Sequence, residues 1–86
     1  MNGKIRKCDS TGDSVIAQYD TEQANTLEVA QDELTKFLDE CVKQYGAKPP
    51  VWARRGGTSE FLPFKVGKDS LAEMDEVLCQ PLLRGG

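Results

Sequence analysis

The chain closes on Leu82-Leu83-Arg84-Gly85-Gly86, and the group with the plainest chemical potential is the carboxylate of Gly86. A carboxylate is a poor electrophile until it is activated, usually as an adenylate, inside a narrow site. Glycine lets the backbone enter such a site without a Cβ clash. Pro81 has no amide hydrogen to give to a sheet, so strand pairing should stop there, leaving residues 81–86 as a flexible tail beyond a folded body of residues 1–80. Taken alone, the Gly-Gly pair fits a frayed terminus without chemistry better than a reactive end.

The other chemistry-bearing residues offer less. The chain has no histidine, so the commonest general base and the commonest metal ligand are both missing. Cys8, Cys41 and Cys79 are odd in number and irregular in spacing, which argues against a disulfide framework or a zinc site. All three fall in predicted strands or the helix and read as buried, reduced thiols that act as small hydrophobes. Asp32, Glu33, Asp39 and Glu40 lie along one side of a predicted helix and, with no histidine beside them, read as a solvated face. Acid/base work would also need a pocket that perturbs one member of a carboxylate pair. Gly12 is a lone glycine with no helix directly behind it, a turn residue and not a phosphate loop. Arg54 and Arg55 beside Trp52 fit a protein-docking surface at least as well as a nucleic-acid patch, because the chain is acidic, with a net charge of −3 and a pI near 4.8. No metal and no cofactor of its own are expected, and no nucleic-acid partner.

Eighty-six residues make one small domain, with 38% hydrophobic and 29% charged residues, ordinary values for a globular protein. No apolar run approaches the ~20 residues that span a bilayer, and the first residues lack the apolar core of a signal peptide. A cytoplasmic monomer that does not engage membranes is the expectation.

The elements that would position the tail can be read from periodicity. Residues 4–8 and 14–19 form a predicted antiparallel hairpin around the turn formers of residues 9–13, with Val15, Ala17 and Tyr19 on one face. Asn25 as N-cap with Glu28 reciprocating starts a long helix, whose apolar positions Leu27, Ala30, Leu34, Phe37, Leu38, Cys41, Val42 and Tyr45 recur at steps of three and four. Gly46 ends it, and Pro49-Pro50 forbids continuation. Residues 51–55 and 59–64 read as two further strands around Gly56-Gly57-Thr58, the second an edge strand because of Pro63. Trp52, Phe61 and Phe64 supply apolar area, part of it for covering the helix. Asp69 or Ser70 caps a short helical turn carrying Leu71 and Met74 inward, and residues 77–79 form the last strand. Two strands, a helix and then further strands make an α+β two-layer fold: a four- to five-stranded mixed sheet packed on one long helix.

With those elements in place, the chain resembles the ubiquitin-like proteins of β-grasp fold, and is similar in particular to small bacterial ubiquitin-like modifiers. The resemblance rests on the early turn Gly12-Asp13, the central helix ending at Gly46, Pro81 after the terminal strand, and the tail Leu82 to Gly86. It implies that the chain is not an enzyme but a substrate. An activating enzyme would adenylate Gly86 with ATP and carry it as a thioester, and a conjugating enzyme or direct transfer would join it to target proteins, with a deconjugating protease to reverse the bond. In that scheme Gly85 gives a slim approach, Arg84 reads an acidic site on the activating enzyme, and Leu82 and Leu83 add apolar contacts to the captured tail. The seven lysines Lys4, Lys7, Lys36, Lys43, Lys48, Lys65 and Lys68 are all candidate acceptors for chain formation, unranked by the sequence. A strand face around Trp52, Arg54 and Phe61 is the candidate docking surface. Two other readings stay open. One is a sulfur carrier that turns the same terminus into a thiocarboxylate, and the other is an interaction adaptor whose tail has no chemistry.

Overall fold

A computed structural model describes residues 1–9 and 12–80 of the chain. Among them are five strands, one α-helix and one short 3-10 turn. In chain order these are β1 (Asn2–Asp9), β2 (Gly12–Asp20), α1 (Ala24–Tyr45), β3 (Val51–Arg55), β4 (Phe61–Pro63), the 3-10 turn (Leu71–Glu73) and β5 (Met74–Cys79). The strands form one mixed sheet in the order β2-β1-β5-β3-β4. The pairs β1/β2, β3/β4 and β3/β5 are antiparallel, whereas the central pair β1/β5 is parallel. The domain is therefore α+β, with α1 packed on one face of the sheet.

The first hairpin forms where the alternation placed it, but it is longer, and one strand slips. The register jumps between Ile5, paired with Ala17, and Arg6, paired with Val15, so Ile16 is an extra residue in β2. Beyond such a bulge every side chain changes face. Ala17 and Tyr19 thus pack with the core while Val15 stands on the other face at 48% exposure, so the expected trio Val15, Ala17 and Tyr19 is split. Opposite Tyr19 in the pairing lies Gly3, where an added Cβ would run into the phenol ring. That bare backbone lets the ring cross β1, and the Tyr19 hydroxyl donates to the Met74 carbonyl at 2.7 Å. The bond satisfies a buried phenol and ties β2 to the start of β5.

The helix starts differently from the expected Asn25–Glu28 capping box. Its first residue is Ala24, Gln23 occupies the N-cap, and no side chain caps there. Local hydrogen bonding upstream has moved the start. The Glu22 amide donates to Asp20 Oδ1, and the Thr26 hydroxyl, which accepts from the Asp20 amide at 2.9 Å, has the Asp20 and Gln23 carbonyls both within reach of its one proton. These bonds fold the chain into the helix before Asn25 is reached. The other end is as expected: Gly46 takes the left-handed conformation at φ 82° and donates its amide to the Val42 carbonyl at 2.8 Å. Along the 22 residues, roughly 33 Å, Ala30, Leu34, Leu38 and Cys41 are buried, and Leu27 and Phe37 pack against the core from its margins. Val42, expected on the inner stripe, is 39% exposed.

Opposing the helix are Ile5, Ala53, Val77 and Cys79 from the sheet, with Phe64, Leu71 and Met74 closing the far end. Ile5 and Val77 are fully buried, and burial of side chains of this size stabilises by about 1.5–3 kcal/mol each. Ser70, one of the two expected caps, accepts from the Ala72 amide and turns Leu71 inward. Met74 also points to the core, but as the first residue of β5, so the last strand is twice as long as residues 77–79 suggested. The other edge is shorter: only Phe61–Pro63 of the expected segment 59–64 is strand, with Pro63 giving no amide to the ladder and Phe64 making one further bond to β3 through the Val51 carbonyl. Cys8 is exposed, against the expectation that all three cysteines are buried. It has the parity of Arg6 in β1, so it points to the sheet face that the helix does not cover.

Candidate functional site

One helix covers one face of the sheet, and strand alternation turns the remaining side chains to the other. In this register two rows cross that second face. One contains Val15, Arg6, Leu78, Trp52 and Pro63, and the next contains Gln18, Lys4, Glu76, Arg54 and Phe61. The expected docking residues Trp52, Arg54 and Phe61 are thus brought together. Trp52 and Arg54 are two apart in β3, and the Arg54 guanidinium carbon sits 5.5 Å from the centre of the Phe61 ring. Of the three aromatics, Phe64 alone is buried with the helix, since Trp52 and Phe61 belong to the opposite parity of their strands.

Between the rows the charges close on one another. Glu76, only 7% exposed, is bridged by Arg6 from β1 and by Arg54 from β3 at 3.3 Å. Arg6 also binds Asp13, and Arg54 Nε donates to Asp75 Oδ1 at 3.0 Å. A second bulge makes the latter bond possible. Arg54 pairs with Glu76 but Arg55 pairs with Met74, so Asp75 is an extra residue that sends its carboxylate towards the same guanidinium. The bond to Asp75, helped by the charges of Asp75 and Glu76, raises the pKa of Arg54 against the opposing pull of burial. Arg54 is therefore committed within the domain. The apolar half of the face, Trp52, Leu78 and Pro63, lies outside this ion cluster, and two buried donors, Arg6 Nε and Trp52 Nε1, have no acceptor among the described residues.

Among the described residues nothing in this arrangement pairs a nucleophile with a base. The thiols of the core are held neutral: burial, reinforced by the neighbouring Cys41, pushes Cys79 up to about 12, and burial also raises Cys41. Among the described residues no group of three or more His, Cys, Asp or Glu side chains could hold a metal ion. Among the described residues no helix is long and apolar enough to cross a membrane.

The tail residues Leu82, Leu83, Arg84, Gly85 and Gly86, and Pro81 before them, lie outside the described residues. The strand leading to them is well placed. β5 is paired on both sides, with β1 and β3, and the Gln80 amide donates to the Pro50 carbonyl at 3.1 Å. Of the seven candidate acceptors, Lys4, Lys36, Lys43, Lys48, Lys65 and Lys68 are exposed, and Lys7, half-buried, stands opposite Cys79 in the pairing.

The sequence reading missed Arg6, Glu76 and Leu78 as members of the outer face. Residues 76–79, Glu-Val-Leu-Cys, alternate with Val77 and Cys79 inward, so a six-residue β5 would have placed Glu76 and Leu78 outward. Comparison with protein-family models, with curated proteins and with solved structures gives no match to this chain.

Proposed function

We propose that the chain is a β-grasp protein of the ubiquitin-like kind that serves as a protein modifier. The Gly86 carboxylate is adenylated with ATP by a ubiquitin-type activating enzyme, held as a thioester and joined to target proteins, directly or through a conjugating enzyme. A protease reverses the bond. On this reading the chain is a substrate, and the catalytic cysteine and the nucleotide site belong to its partners.

The observation that carries the reading is the position of β5. The order β2-β1-β5-β3-β4, with a parallel central pair and a single helix on one face, is compatible with a β-grasp. It puts the last strand in the middle of the sheet, where bonds from both sides and the fully buried Val77 and Cys79 anchor it. A segment that must enter another protein's active site needs such an anchor at its root, since any looseness there spreads the position of the reacting carbonyl. Arg84 contributes a planar fork of donors for an acidic site on the activating enzyme, and Leu82 and Leu83 contribute apolar contacts. The face of Trp52, Phe61 and Leu78 supplies docking surface, with Arg54 bracing it from within the sheet.

Mass spectrometry after incubation with the cognate activating enzyme, ATP and magnesium tests the proposal. A covalent adduct between Gly86 and protein supports it. Replacement of one carboxylate oxygen by sulfur makes the chain a sulfur carrier instead. An unmodified terminus, with biological function intact after removal of Gly85-Gly86, makes it an adaptor.

A further inference from the structure

We draw no further inference here: the strongest candidate, the groove between the first turns of α1 and residues 67–72 where Glu28, Asp32 and Asp69 gather over Leu27 and Leu71, is a cluster of carboxylates, and nothing in the structure points to what fills it.

Discussion

Glu76→Gln removes the charge that holds the outer sheet face together while keeping nearly the same shape. In the native domain the carboxylate is 7% exposed and shared by two guanidiniums from the strands on either side of its own. A hydrogen bond to a charged group contributes about 1.5–3 kcal/mol net. The side chains of Arg6 and Arg54 are 27% and 32% exposed, so solvent screens part of each interaction. Each arginine also keeps a second carboxylate, Asp13 or Asp75, which limits the damage. The expected loss is about 2 kcal/mol, which in a domain of this size lowers the melting temperature by roughly 8–16 °C. Thermal melts followed by far-ultraviolet circular dichroism, checked by urea titration of the Trp52 fluorescence, measure it. A double-mutant cycle of Arg6→Met with Glu76→Gln should return a coupling of roughly 1 kcal/mol or more. If Glu76→Gln melts within a degree or two of the parent and the cycle shows no coupling, the ion cluster around Glu76 does not stabilise the sheet and the account of Glu76 as its centre is wrong.

Other outcomes follow from the same structure. Gly3→Ala should destabilise by about 1–3 kcal/mol through overpacking against the Tyr19 ring, whereas Tyr19→Phe, which loses only the bond to the Met74 carbonyl, should cost about 1 kcal/mol; paired urea titrations separate the two. With 5,5′-dithiobis(2-nitrobenzoate) at neutral pH, one thiol, Cys8, should react quickly and Cys41 and Cys79 only on unfolding, so a fast stoichiometry of two or three contradicts the burial. Folding raises Cys79 from 9.0 and Tyr19 from 10.0, each to about 12, so the unfolded chain ionises first. The stability these groups contribute should be complete below about pH 9 and be lost progressively up to about pH 12, and urea midpoints measured from pH 8 to 12 should fall. If the outer face docks the activating enzyme, Trp52→Ala should weaken thioester formation roughly five- to thirty-fold through KM, with melting little changed; an unchanged KM would remove Trp52 from the interface.

Much of the fold was legible because periodicity reports burial. The stripe from Leu27 to Cys41 marks the helix, and Gly46 ends it because a left-handed residue is needed there. What alternation could not reveal were the two bulges. An extra residue at Ile16 reverses the facing of Val15, and another at Asp75 lets two successive carboxylates reach one arginine, yet neither leaves a sequence mark apart from its consequences. The helix start was misplaced because Thr26 competes for the Asp20 and Gln23 carbonyls, a contest between local bonds that the capping rule does not weigh. On the candidate site, Trp52, Arg54 and Phe61 do share one face, but local spacing does not dictate it: a three-residue loop at Gly56-Gly57-Thr58 would pair Phe61 with Ala53, whereas six residues separate the paired Arg54 and Phe61. The commitment of Arg54 to Asp75 and Glu76 was not legible, because those partners come from a strand about twenty residues later, and such pairing is set by register, not by local spacing.

The reactivity of Gly86 is the claim on which the functional reading rests, and a thioester trap examines it most directly. The chain would be incubated with its activating enzyme, ATP and magnesium, quenched, and run on gels with and without reductant. The account predicts an ATP-dependent adduct at the summed mass of the two proteins that reductant releases, and that neither the chain lacking Gly85-Gly86 nor one amidated at Gly86 can form. An adduct that persists in either altered chain, or none with the intact one, would contradict it.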